Sequence, residues 1–512
     1  MKNITKITFA ILSSIFIIQN SYAQHYFQKT YGLVGSNEIA YDMKATPDGG
    51  LIVFGETDGA GAGGKDLFLM KLDSNYTQSW VKTYGGAKDD ANPSNGRRTV
   101  EVCSDGGFAF IANTKSYGAI DTNDIYIVRT DANGDTLFTK VIQSTSICYS
   151  YTGRRIKQKQ DKGFIVLGYG CGAENMILIA LDSNGVIQWQ KGYFNTLTAE
   201  QSDILIENNG DILIAGNNNQ ESAITKLDIN GNLIWTKAFP VEVSRNIIKA
   251  NNGYLITSDY GSKSLIGKVD TNGNWLWSKT IEVNQILRIN KLNNGNYVLT
   301  GRTFITPNTG KAIVITIDEN GSILNSLENS EPNYVHQYAS SIASNNNVLL
   351  LGDKTSISSI DYNIHLIKTD ENINEVCDAV PYSVNDSVIT LAMTSKTFIE
   401  SVLSVNVLSG AIVGNSLFIE NTLCDTTINN IQNRISNGIS IYPNPTNKYI
   451  RISSDNNKSY QVKLFDFKSN EILNIISAPN EKISLSELER GIYLIKVIQN
   501  DKVLKTQKII LN

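Results

Sequence analysis

Histidine is scarce in this sequence, at three in 512 residues. His25 stands two residues past an expected cleavage site, and His365 lies inside an apolar run; both read as structural. His336, in EPNYVHQYAS, has no serine or aspartate partner pattern, so catalysis through a histidine base has little to draw on. Cysteine is nearly as rare. Cys103, Cys148, Cys171, Cys377 and Cys424 include no CxxC pair, which argues against a zinc frame. An excess of positive charge is missing too: 45 Lys+Arg against 49 Asp+Glu give −4, where a nucleic-acid binder wants a basic face. With five methionines and abundant glycine, asparagine, serine and threonine, the composition suits strands and turns.

Long apolar runs are also lacking. Phe9 to Ile18 is too short for a bilayer, which needs about 20 residues. With Lys2 and Lys6 before it and Ser21-Tyr22-Ala23 after it, the run reads as a signal peptide over residues 1–23, the mature chain starting at Gln24. No later segment reads as transmembrane. Export permits disulfides, and the expected pairs are Cys148–Cys171 and Cys377–Cys424, with Cys103 a buried thiol.

What the sequence has is repetition. LDINGNLIWTK, from Leu227, has relatives whose aspartates fall at 73, 131, 182, 228, 270, 318 and 370. A second marker precedes each: DGG at 48–50 and 105–107, DKG at 161–163, NNG at 208–210, 251–253 and 293–295, and NNN at 345–347. Apolar β-rich runs such as LIVFG and DLFLMK lie between the markers, and an aromatic strand follows most of the aspartates. One unit is therefore strand A, a DGG turn, strand B, a variable loop, strand C, a DxNG turn and strand D. Strands B and C are almost continuously apolar, as expected of a sheet covered on both faces. Seven four-stranded units predict an all-β, seven-bladed β-propeller over residues 24–375. The last copy lacks strand D, while FQKTYG at 27–32 matches WVKTYG at 80–85. That N-terminal strand is expected to complete the seventh blade and close the ring.

From about residue 437 the texture changes. ISIYPNPTNKYIRI, ISLSELERGIYLIKV and VLKTQKIILN pattern as a small immunoglobulin-like β-sandwich of six or seven strands. This stretch carries 11 Lys+Arg and 7 Asp+Glu, basic beside an acidic propeller. Tyr442-Pro443-Asn444-Pro445, the block containing Gly491 and Tyr493, and the ending Lys508-Ile509-Ile510-Leu511 resemble the type A C-terminal sorting domain of type IX secretion cargo. The resemblance implies export by the signal peptide, then recognition of the tail by the outer-membrane machinery. It also implies removal of the tail, with release or attachment to surface lipopolysaccharide. The repeats, over about residues 26–375, are similar to the seven-bladed propeller repeats often found ahead of such tails; this implies a fold and no single activity. Residues 376–436 read as a β-rich connector and linker.

Candidate chemistry is sparse. Asp228-x-Asn230-Gly231 looks like the start of a calcium loop, but it lacks the further acids and distal glutamate of one. Asn-Gly instead supplies the left-handed conformations of a tight hairpin. Asp89-Asp90, Asp121 with Asp124, and Asp203 are candidate carboxylates for hydrolysis, with solvated turn acids the ordinary alternative. DGAGAGGKD at 58–66 lacks the GxxxxGK[ST] spacing of a phosphate loop, since Asp66 follows Lys65. No catalytic residue, metal site or cofactor is expected.

Topology narrows the binding surface. In each unit the A–B and C–D turns emerge on one face, and the B–C and D–A connections on the other. The second face carries the variable pieces 55–65, 113–123, 168–175, 216–221, 258–263, 301–311 and 352–362, the kind of loops that bear recognition. Tyr117, Tyr169, Tyr260, Phe304 and Tyr362 there are candidates for stacking on a sugar. The reading is a surface or secreted binding or adhesion module for a glycan or protein ligand. The alternatives are an extracellular hydrolase with its site on the variable face, or a purely structural surface protein.

Overall fold

The computed structural model describes residues 24–90, 100–117, 123–144, 151–170, 174–194, 198–218, 221–306, 309–329, 339–342, 347–355, 362–373, 379–395, 399–402, 405–408, 412–416, 419–428, 440–442, 446, 448–453, 459–465, 471–499 and 502–511. The expected signal peptide, Cys148, Cys171, Cys377, His336, Asp121 and Pro443 to Pro445 lie outside them, as does the side chain of Cys424. All the regular structure described is β.

The described residues form seven five-stranded antiparallel sheets in a first compact unit, residues 1–428, and two smaller sheets in a second, residues 429–512. Sheet one takes Glu38–Ala45, Leu51–Thr57, Asp66–Leu72 and Gln78–Gly85 as strands A to D. Sheet two has Val100–Val102, Phe108–Thr114, Asp124–Thr130 and Thr136–Ser144. Sheets three and four run from Tyr151–Gln158 to Ile187–Phe194 and from Thr198–Ile206 to Leu233–Phe239. Sheets five and six run from Val243–Ala250 to Trp275–Ile281 and from Gln285–Lys291 to Ile323–Asn329. Sheet seven has Ala339–Ile342, Val348–Thr355 and Tyr362–Thr369, and its fourth strand is the N-terminal Gln24–Gly32. Each A strand packs on the A strand of the next sheet, and that of sheet seven packs on that of sheet one.

Burial explains the unbroken apolar runs. Seven apolar cores lie between successive sheets, including one between sheets seven and one built on Phe27, Tyr31, Leu349 and Leu366 against Met43, Phe68 and Met70. Every residue of Leu51–Thr57 and Asp66–Leu72 is buried, so alternation has no solvent face to follow.

The fifth strands come from the stretch read as a connector, and that stretch forms no sheet of its own among the described residues. Ala379–Pro381 adds to strand D of sheet six, Asp386–Val388 to five, Thr394–Ser395 to four and Ile399–Val402 to three. Val405–Leu408 then adds to sheet two, Ile412–Ser416 to sheet one and Ile419–Ile428 to sheet seven. The chain thus retraces the array backwards along its outer edges. It ends beside Gln24–Gly32, which is held between Tyr362–Thr369 and Ile419–Ile428.

The second unit pairs Ser440–Tyr442, Tyr449–Ser453 and Ile483–Ser484 in one sheet. The other has the order Glu471–Ser477, Tyr460–Phe465, Gly491–Gln499, Lys502–Leu511, over its own core of Ile450, Val462, Ile495 and Ile509.

Candidate functional site

The regular turns do structural work. In LDINGNLIWTK, Asp228 Oδ1 accepts the N–H groups of Asn230 at 2.9 Å and Asn232 at 2.8 Å, and Gly231 has φ 78°. The carboxylates of Asp73, Asp131, Asp182, Asp270 and Asp318 accept the same pair of backbone donors. A glycine here also makes room for the preceding sheet. A Cβ on Gly231 would sit 2.9 Å from the ring of Trp189, and Trp80, Trp235 and Trp277 crowd Gly134, Gly273 and Gly321 in the same way. Tyr193 Oη donates to Gly231 O and Tyr84 Oη to Gly134 O, both at 2.7 Å. In sheet one, Tyr76 takes the glycine's place at φ 60°, and its partner in strand Gln24–Gly32 is Phe27 rather than tryptophan. The two rings lie 5.1 Å apart, with Tyr31 Oη donating to Tyr76 O at 2.6 Å.

On the opposite face the five aromatic candidates divide. Tyr117 donates through Oη to Gly85 O and packs on Tyr126, 5.6 Å between ring centroids. Tyr169 lies under the Arg154 guanidinium at 4.6 Å, and Tyr362 is half-buried with its N–H on Asn37 Oδ1. Tyr260 and Phe304 differ: they are 39% and 42% exposed. Their loops are tied together, because Asn284 accepts from Phe304 N at 2.8 Å and donates to Ser262 O at 2.9 Å. The Arg302 guanidinium stacks on Phe304 at 4.7 Å and donates to Gln285 Oε1, while the buried pair Arg245–Asp259 closes the floor. Burial lowers Arg302 first, and Arg245 nearby lowers it further.

The inner strands carry polar and charged residues of which the sequence reading named only Asp203. A register shift recurs in strand A before Asp42, Arg155, Asp203, Asn246 and Arg288. A β-bulge re-aims the side chain that follows it. Several of these residues stitch one sheet to the next: Asp42 accepts from Val100 N, Arg155 Nε donates to Asp203 at 3.1 Å, Asp203 accepts from Ile247 N, and Asn246 donates to Ile286 O. Burial raises Asp203, but Arg155, Lys157 and Arg288 together hold its carboxyl below the ordinary range. Arg288 is lowered by burial, Asp42 opposes that, and Arg155 adds to it.

A third cluster lies where sheets one and two meet on the variable face. Asp90 is fully buried; Oδ2 accepts from Gly86 N and Ser116 Oγ, and Oδ1 accepts from Thr114 Oγ1 and Ser116 N. Asp66 is also fully buried, its Oδ2 accepting from Ala62 N at 2.8 Å and Gly63 N at 3.2 Å. Of the other proposed acids, Asp89 accepts from Lys65 N, and Asp124 is buried and accepts from Gln143. His365 is buried against Gln28, and Cys103 is a buried free thiol pushed up to about 12 by its burial. In the second unit Tyr493 Oη donates to Glu489 O at 2.6 Å, and Tyr442 is 44% exposed. No helix among the described residues is long and apolar enough to cross a membrane.

Residues 440–512 match the family described as a secretion system C-terminal sorting domain, which marks this as an exported protein, secreted or at the cell surface. No curated protein matches the chain. Among solved structures, it is similar to a putative 6-phosphogluconolactonase from Bacteroides fragilis, at 11% identity over 71% of this chain and 98% of that one, with a TM-score of 0.38. A second putative 6-phosphogluconolactonase, from Bacteroides uniformis, gives 11% identity over 71% and 100%, with a TM-score of 0.40. A protein of unknown function from Dyadobacter fermentans gives 9% over 67% and 98%, with a TM-score of 0.37. Likeness at this level bears on neither substrate nor activity.

Proposed function

We propose that this is a non-catalytic binding module: a seven-bladed propeller, closed by residues 27–32, that meets a surface glycan or protein through its variable face. In this reading residues 1–23 lead the chain across the inner membrane, and residues 437–512 are read by type IX secretion machinery as a type A sorting tail. Loss of that tail releases the propeller or leaves it on surface lipopolysaccharide.

The observation that carries the binding reading is the corner between sheets five and six, where Tyr260 and Phe304 stand exposed over a hydrogen-bonded floor. Exposed aromatic faces with fixed polar neighbours are the usual means of holding a sugar or a partner side chain. Hydrolysis has less support, since Asp42, Asp90 and Asp203 accept from backbone or cationic donors that stitch sheets together. The test is a glycan array and surface-binding assay with the full mature chain and with Tyr260→Ala/Phe304→Ala. The double variant should lose about tenfold or more in affinity; unchanged binding would place recognition elsewhere. For export, a chain lacking residues 437–512 should stay in the periplasm.

A further inference from the structure

Two corners of the variable face are built alike but pair different groups. At the junction of sheets one and two, Asp66 opens strand C and Asp90 follows strand D; at the junction of sheets seven and one, Asn363 and Glu38 hold the corresponding places. A glycine ends strand D in both. A Cβ on Gly85 would collide with Asp66 Oδ1 and meet Asp90 Oδ2, and a Cβ on Gly32 would collide with Asn363 Oδ1 and meet Glu38 Oε2. Each glycine thus leaves room for two side chains to converge.

The chemistry of the two pairs differs. Asn363 brings a neutral amide to its corner, and the Glu38 carboxylate is supplied by Ser36, Thr57 and Leu33 N. Two ionised carboxylates can only repel. Asp66 Oδ1 is buried and has no hydrogen-bond partner, an expensive state for an ionised oxygen. Something positive belongs there, and Asp90 decides what it is. All four of its acceptor directions are taken by N–H and O–H donors, and among the described residues no three acids, histidines or cysteines gather as a metal set. A proton removes the charge on Asp66 itself, whereas a metal ion needs several free acceptors.

We propose that Asp66 is held as a neutral carboxylic acid on the acid side of neutrality, its Oδ1 carrying a proton, and that this corner of the variable face is a pH-sensitive clasp. The carbonyl-like Oδ2 then takes the Ala62 and Gly63 N–H groups, so the glycine-rich loop 58–65 is fastened to the same acid. The surroundings agree: burial first, with Asp90 and Asp89 adding, pushes Asp66 up to about 6 against the opposing Gly63 and Ala62 bonds. Other charged or titratable groups close by are Lys65, which pairs with Glu56, Asp58 in the loop, Lys88 and Lys115 beside Asp89 and Ser116, and Tyr84, Tyr117 and Tyr126. Because the folded value lies above the ordinary 3.8, the contribution is complete below about pH 4 and is lost as pH rises through about 6.

The test exchanges the two corners in the full mature chain and follows thermal melting of the propeller from pH 5 to 7.5. Asp66→Asn, a mimic of the neutral acid, should gain on the parent as pH rises, its melting-temperature advantage growing by roughly 2–4 °C between pH 5 and 7.5. Asn363→Asp should do the reverse, adding a new loss of stability above pH 6. Parallel profiles for parent and both variants would overturn the proposal. So would a calcium- or magnesium-dependent rise in the parent's melting temperature at pH 7.5 that disappears in Asp66→Asn, which would put a metal where the proton is placed. Should Asp66→Asn not fold, Asn363→Asp and the parent's own profile still decide it.

Discussion

Each of the seven sheets is made of two kinds of strand. Strands A to D in most sheets carry turn markers, and B and C bury apolar side chains on both faces in cores shared with neighbours. The fifth strands, from residues 379–428, are two to ten residues long, follow one another in reverse order and add to an edge already formed. The first kind is specified by side chains. The second takes up what it finds: an unpaired row of backbone N–H and C=O groups along strand D, with Tyr382, Val384, Ile389, Leu391 and Met393 between its strands packing on cores already formed.

The largest effect should come from removing the second kind altogether. A chain ending at residue 375 would leave the outer edges of all seven sheets unpaired and Gln24–Gly32 with a single neighbour. Exposed flat edges template association. This chain should aggregate, whereas one ending at residue 428 should stay monomeric and melt like the first unit of the full chain; light scattering and circular dichroism distinguish the two. Equal behaviour would make the edge strands dispensable.

Next in size is the strand where the two kinds meet. Phe27 is 1% exposed between sheets seven and one and packs on Tyr76. Phe27→Ala should cost about 3–5 kcal/mol by the general scale for buried aromatics, measured by denaturant unfolding. A cost below about 1 kcal/mol would mean that the outer strand Ile419–Ile428 alone keeps the N-terminal strand in place.

Sequence reading reached the first kind of strand and not the second for a physical reason. Period-marking turns such as Asp228-x-Asn230-Gly231 recur because each must fit a left-handed backbone under an aromatic ring, so the constraint is written into residue types. No recurring turn marks VITLAMTSKTFIESVLSVNVLSG; its Ile389, Leu391 and Met393 pack on a core built by other strands, so it reads as one apolar unit but is shared out among neighbouring sheets. The site divides in the same way. Tyr260 and Phe304, candidates for recognition, could be named because loops of irregular length announce a face. Asp66 was not, since an acid opening a strand looks like any solvated turn residue until Gly85 admits Asp90 beside it.

A smaller effect tests how tightly the turns are specified. Gly231→Ala forces a Cβ against the Trp189 ring and into φ 78°, and should cost about 1–3 kcal/mol. Tyr76→Gly tests the exception. There the side chain is 3% exposed and lies beneath Phe27 and Lys368, so the glycine that suits the other turns should destabilise this one by a similar amount.

The smallest effect belongs to the shortest edge strand. Thr394–Ser395 pairs with Ala238 and Lys237 at two positions only. Proline at 394 removes one N–H donor and leaves the six other edge strands in place. The expected cost is under about 1 kcal/mol, the net worth of one exposed backbone bond. A loss of several kcal/mol from this one change would mean that the edge strands act as a single cooperative band, in which a break anywhere loosens the whole circuit, rather than as seven independent patches.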